Sequence, residues 1–160
     1  MSSNPLSEAI AVHKPLERDI RVLVVDDADE LRKAYIQGLE LMGYTTGQAR
    51  NGAEAIDRIR NDSYDAVLLD LNMPGMDGFA ACAKIRGTPL NARTPVVFVT
   101  TLSDYQSRER ATEAGSCGFI PKPAMRMEVT LAALTFAFRG RLEKRRAKVD
   151  GTPKEELSLA

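Results

Sequence analysis

The stretch VLLDLNMPGMDG, Val67–Gly78, decides the fold. Ala66 and Val67–Leu69 form a short continuous apolar run, the pattern of a strand buried on both faces. The run stops at Asp70, a carboxylate placed where a strand leaves its sheet. Asn72, Pro74, Gly75, Asp77 and Gly78 then mark a loop with several special backbone positions. A helix-forming segment, Phe79 to Arg86, follows. In an open α/β sheet, a buried strand that delivers an acid to its carboxyl end builds a site. An aspartate that merely caps the next turn is the plainer alternative.

Working outward, three more runs repeat the design. Arg21–Val25 ends in Asp26-Asp27, Val96–Val99 ends in Thr100-Thr101, and the short Phe119-Ile120 leads to Pro121-Lys122-Pro123. Tyr44–Ala49 reads as a weaker strand. Between them lie helical patterns: Ala28 to Met42 with Leu31, Ala34, Tyr35, Leu39 and Met42 as its apolar stripe, a helix capped by Asn51, and one from Asp104 to about Ala114 closed by Gly115. From about Met125 a long helical segment runs towards Lys148. Five alternations of strand and helix predict a parallel sheet with helices on both faces and right-handed crossovers.

All strand ends of a parallel sheet share one edge, so Asp26, Asp27, Asp70, the Thr100-Thr101 hydroxyls and Lys122 converge there. Three acids together repel unless protons or a cation compensate. Oxygen donors without histidine or thiolate favour a hard ion, and Mg²⁺ is the natural choice. Carboxylate, Mg²⁺, lysine and hydroxyl are the parts of phosphoryl chemistry, and a carboxylate can itself be the nucleophile that forms an acyl phosphate. His13, the only histidine, lies in the leader, which excludes histidine triads and multi-histidine metal sites. Lys+Arg and Asp+Glu both number 22, so no net field draws the chain to nucleic acid or to an anionic membrane. No run approaches the roughly 18 apolar residues of a membrane span. With no secretion signal in the first residues, Cys82 and Cys117 read as reduced packing thiols of a cytoplasmic protein.

The segments VLVVDD (Val22–Asp27), VLLDLNMPGMDG (Val67–Gly78), VVFVTT (Val96–Thr101) and GFIPKP (Gly118–Pro123) stand in an order and spacing that resembles the receiver domain of bacterial two-component response regulators. The resemblance covers roughly residues 20 to 138. It implies a flavodoxin-like, doubly wound sheet of five parallel strands, order 2-1-3-4-5, with five flanking helices. It further implies that Asp70 is the phosphoacceptor, that Asp27 binds Mg²⁺ directly and Asp26 largely through water, and that Asn72 offers a backbone carbonyl to the ion. Thr100 matches the switch hydroxyl, Lys122 the lysine that pairs with the phosphoryl group, Phe119 the aromatic that turns inward, and Pro123 a proline held cis. The partners implied are a sensor histidine kinase or histidine phosphotransfer protein, and a downstream target. Three departures stand out. Thr101 is bulkier than the family's usual residue beside the phosphoryl pocket, Phe119 lacks a tyrosine hydroxyl, and Pro121 removes an amide donor that an edge strand can spare.

A rival reading is an aspartyl-phosphate phosphatase or phosphotransferase. Such enzymes generally want a second acid two residues after the nucleophile, where this chain has Asn72. A docking module that is never phosphorylated is a third reading, and the intact residue set speaks against it. No GxGxxG or P-loop follows the first strand, which argues against a nucleotide binder. The organisation expected is a leader over residues 1–19, a receiver over 20–138, and a basic helical extension with a loose tail over 139–160. Met127, Leu131, Leu134, Phe138 and Leu142 form an apolar stripe whose first half is expected to be core. Arg139, Arg141, Lys144, Arg145, Arg146 and Lys148 form a basic cluster, read as a solvated face or linker, a homodimer contact through the C-terminal helix, or a short anionic-surface patch.

Overall fold

A computed structural model describes residues 20–102 and 104–149, the side chains of 143–145 and 147–149 excepted. The expected leader with His13, and the tail from Asp150, lie outside the described residues. The elements run β1 (Arg21–Val25), α1 (Asp29–Leu41), β2 (Thr45–Ala49), α2 (Gly52–Asn61), β3 (Ala66–Leu69), α3 (Gly78–Arg86), β4 (Val96–Thr100), α4 (Tyr105–Glu113), β5 (Gly118–Pro121) and α5 (Arg126–Val149). All pairings are parallel and the strand order is 2-1-3-4-5, as the sequence led us to expect. Asn51 caps α2 through the Glu54 amide and Asp104 caps α4 through Ser107. Asp77, one of the loop residues, caps α3 through the Ala80 amide.

The two-residue side-chain period of the strands divides the core. Leu23, Val25, Val67, Leu69, Val96 and Phe98 face α2 and α3, where Ala55, Ile56, Ile59, Ala81, Cys82 and Ile85 cover them. Val22, Val24, Ala66, Leu68, Val97, Val99 and Ile120 face α1 and α5, against Tyr35, Leu39, Val129, Ala133, Leu134 and Ala137. Each fully buried aliphatic contributes about 1.5–3 kcal/mol, so both layers are needed. Helix α4 is the exception: Ala111 is its buried residue, and its cap and the Arg110 guanidinium, 4.1 Å from the Phe79 ring centroid, supplement that slight anchorage.

Two expected stripes are rotated. In α1 the inward residues are Arg32, Tyr35, Gly38 and Leu39, while Leu31 and Met42 face solvent. In α5 Val129, Ala133, Leu134 and Ala137 are buried in the layer on the sheet and Thr130 is buried against α1, whereas Met127 and Leu131 are exposed. The reason is close approach. A Cβ on Gly38 would fall 2.5 Å from the Thr130 hydroxyl, so α1 and α5 touch through small residues and their larger side chains turn outward. Leu142 is exposed, as expected of a residue beyond the core. Further along α5, Gly140 is buried against Pro95, and Arg141 forms a two-bond ion pair with Asp65.

Candidate phosphoryl and metal site

Parallel register places the acids. Val25 pairs with Leu69, so Asp26 and Asp70 emerge side by side from adjacent strands, and the Asp70 amide donates to the Val25 carbonyl at 3.0 Å. On the far side of β4, Thr100 pairs with Pro121, and the Lys122 amide donates to the Thr100 carbonyl at 2.7 Å. From there the Lys122 ammonium reaches back across the strand ends. It donates to Asp26 Oδ2 at 2.7 Å and to Asp70 Oδ2 at 3.3 Å. The second oxygen of each acid is held locally: Asp26 Oδ1 accepts from the Ala28 amide at 2.9 Å, and Asp70 Oδ1 from the Asn72 amide at 3.1 Å. Each carboxylate is therefore oriented from both sides.

Asp27 completes the group, with carboxylate oxygens of Asp26, Asp27 and Asp70 within 4.8 Å of one another. Asp26 and Asp70 are buried and Asp27 is exposed, so the cluster opens to solvent on one side. Burial pushes the Asp70 carboxyl above the ordinary carboxylate range, and the Asn72 amide and Lys122 only partly offset it. Burial alone would pull Lys122 down, but its bonds to Asp26 and the charges of Asp26 and Asp70 outweigh that and hold it up. One ammonium among three acids leaves negative charge, and the donors are all oxygen. Such a set fits a hard divalent cation.

The loop after Asp70 is shaped for this. A Cβ at Gly78 would lie 2.4 Å from the Asp70 carbonyl and 2.7 Å from Leu71 Cα, so the chain folds back tightly enough to need glycine there. The Asn72 side chain is exposed, while its amide braces Asp70. Neither acid after β1 caps the following helix in the ordinary way: the cap position of α1 is Ala28, with no side-chain cap bond. Thr100 is fully buried, its hydroxyl oxygen accepting from the Leu102 amide at 3.2 Å, whereas Thr101 is exposed. Phe119 is half-buried against the α3 layer, with the Arg108 guanidinium 5.1 Å from its ring centroid. The Lys122–Pro123 peptide is cis.

Two neighbours escaped the sequence reading. Arg32 is buried beneath the β1 end, donating to the Asp26 carbonyl at 2.9 Å and to Gln48 at 3.0 Å, and pairing with Asp29. Its only signal was a charged residue on the inner face of a helix. Tyr35 counts as an apolar core position in the helical pattern, but it carries a buried hydroxyl without a hydrogen-bond partner, and the charges of Lys122, Asp26 and Asp70 act on it.

Residues 22–134 match the family model described as the response regulator receiver domain. The chain belongs to that family. It is 31% identical over 120 residues to a gliding motility regulatory protein of Myxococcus xanthus, covering 75% of this chain and 15% of that one. It is 36% identical over 104 residues to the response regulator MprA of Mycobacterium tuberculosis, covering 65% and 44% respectively. The chain thus spans less than half the length of either relative. Among solved structures, a CheY-like receiver from Methanospirillum hungatei superposes with TM-score 0.73 over 78% of this chain and 98% of that one, at 23% identity, which speaks for the fold. The receiver domain of the sensor histidine kinase PA1611 from Pseudomonas aeruginosa, described with a magnesium ion in its active-site cleft, superposes with TM-score 0.68 at 25% identity, over 74% and 98%. This family membership makes the protein a component of the two-component signalling class. Among the described residues no helix is long and apolar enough to cross a membrane.

Proposed function

We propose that this receiver is the phosphoacceptor of a two-component phosphorelay, with Asp70 taking the phosphoryl group from a phosphohistidine. The observation that carries the reading is the Lys122 ammonium bonded to both Asp26 and Asp70, with Asp27 in the same oxygen cluster. The donor would be a sensor histidine kinase or a histidine phosphotransfer protein. One Asp70 oxygen attacks phosphorus as the P–N bond of the donor breaks. The electron pair returns to the imidazole nitrogen, which takes up a proton, and Asp70 is left as an acyl phosphate. Asp26, Asp27, Asp70 and the Asn72 carbonyl would hold Mg²⁺, which when bound neutralises charge on the transferring group. Lys122 is already aimed at Asp70 and would pair with a phosphoryl oxygen, while Asp26 keeps the lysine extended across the strand ends.

Readout would pass through Thr100 and Phe119. The Thr100 hydroxyl, last in β4, would turn to the phosphoryl group, and Phe119 would move inward. Helix α4 is the element best suited to respond, because it buries so little. Such a switch shifts a population between two conformations, and matters only if a partner prefers one. The partner would be a downstream protein in the cytoplasm, or a second copy meeting the chain through α5, and chemistry would be confined to self-phosphorylation and slow loss of the group. Intact-protein mass after incubation with a small phosphodonor and Mg²⁺ tests the reading. We expect one added phosphoryl group, absent without Mg²⁺ and in Asp70→Asn. No adduct from the donor and no beryllofluoride complex would refute it.

A further inference from the structure

We propose that Tyr35 is a positioning residue for this site, its buried hydroxyl serving as a second seat for the Lys122 ammonium. The inference rests on reading the acid cluster as a Mg²⁺ and phosphoryl site. Continuing the strand alternation places Asp26 after Val22 and Val24, Asp70 after Ala66 and Leu68, and Lys122 after Ile120. All three therefore emerge on the face of the sheet covered by α1 and α5. Tyr35 projects from α1 into that same layer and belongs to the same buried cluster as Val24, Val99 and Ile120. A buried phenol thus shares this face of the sheet with the three charged groups.

That phenol is placed at a cost. Tyr35 is 2% exposed, and among the described residues its hydroxyl is the buried side-chain polar atom without a hydrogen-bond partner. Phenylalanine would fill the space without leaving an orphan, so the oxygen is the feature that needs a reason. Burial is the main influence raising the phenol's pKa, and among the charges that act on it Lys122 comes first, followed by Asp26, Asp70 and Glu128.

A lysine ammonium has three N–H donors, and here Asp26 and Asp70 receive two of them. When those carboxylates turn their oxygens to a divalent cation, they become weaker acceptors for the Lys122 ammonium, which donates to both at a half-buried position. A buried donor left short of partners is costly. The Tyr35 hydroxyl oxygen lies on the same face and has no bond to give up. By accepting from Lys122 it would keep the ammonium in place while the acids are engaged. An orphan in the free protein that becomes bonded in the loaded one favours loading.

The test compares wild type with Tyr35→Phe, which removes one oxygen and keeps the ring. Calorimetric titration with Mg²⁺ should show the variant binding about tenfold more weakly, equivalent to about 1.4 kcal/mol. Its metal-free stability in urea should be equal or higher, since the orphan is gone. In the wild type, the ¹³Cζ resonance of Tyr35 should shift on Mg²⁺ addition. Equal Mg²⁺ affinity in the two proteins, or a variant that loses metal-free stability at unchanged affinity, would overturn the role and leave Tyr35 as packing. Failure of the wild type itself to bind Mg²⁺ would overturn the reading of the site, and this role with it.

Discussion

Arg141→Ala should destabilise the receiver although it lies far along the chain from every site residue. Arg141 Nε donates to Asp65 Oδ1 at 2.8 Å and Nη2 to Oδ2 at 3.1 Å, a two-bond fork. The Asp65 side chain is 9% exposed and that of Arg141 24%, so the pair sits at the rim of the core. Breaking a fully buried pair costs about 3–5 kcal/mol. Two facts reduce that here: Arg141 is partly solvated, and Asp65 Oδ2 keeps the Arg21 amide at 2.9 Å. About 2 kcal/mol remains for the lost fork and the exposed acid. For a domain of this size 1 kcal/mol moves Tm by about 4 °C, so thermal unfolding should fall by about 8 °C. Urea unfolding of a double-mutant cycle with Asp65→Asn isolates the pair. Arg141→Ala should cost clearly less when Asp65→Asn is already in place, and Arg146→Ala, at an exposed position, should cost nothing measurable. An equal cost of Arg141→Ala in both backgrounds would refute the pairing argument and assign the loss to the arginine stem alone.

Other outcomes follow from the site and its supports. Burial raises the folded-state pKa of Asp70 above its ordinary 3.8, so between the two values the native state holds the extra proton. Stability from this group is full below 3.8 and lost as pH rises through the folded value; Asp70→Asn, free of that loss, should gain on wild type in metal-free urea melts as pH rises from 4 to 7, and a constant difference would contradict it. Cys82 is buried with its thiol pushed up to about 11, while Cys117 is exposed. Native protein at pH 8 should label with a thiol reagent once, at Cys117, and twice only after denaturation. Gly78→Ala should cost about 1–3 kcal/mol through overpacking against the Asp70 carbonyl. It should also weaken Mg²⁺ binding, because the loop carrying Asn72 must shift; a variant with wild-type affinity would show the loop to be more forgiving than its contacts suggest.

Much of this was legible because strand chemistry is local. Val22–Asp27 and Val67–Asp70 announce both the buried run and the acid that ends it, and parallel register does the rest. Asn51 and Asp104 were readable as caps for the same reason: a cap acts on an amide three residues away. What the pattern hid depends on contacts between distant segments. The connection after α3, residues 87–95, carries no periodic apolar pattern, yet its Asn91 is fully buried, donating to the Ile59 and Asp62 carbonyls and accepting from the Tyr64 amide and the Thr94 hydroxyl. A side chain that replaces secondary-structure bonds for another loop leaves no periodic signal.

The helix faces were misjudged by a related mechanism. Periodicity weights residues by hydrophobicity, so Leu31, Met127 and Leu131 dominated the reading, but α1 and α5 approach each other and the sheet through Gly38, Thr130 and Ala133. Once the small residues set the spacing, Arg32 and Tyr35 are the polar α1 side chains turned inward, beside Gly38 and Leu39. Arg32 spends its donors on the Asp26 carbonyl and on Gln48 and Asp29, and so fixes the backbone from which the acid projects. Tyr35 brings an oxygen that the free protein leaves unbonded. A helix face that looks like failed amphipathicity is, on this account, the underside of the site. Its polar atoms are tolerated in the core because the charged groups they serve stand one residue beyond the last apolar layer.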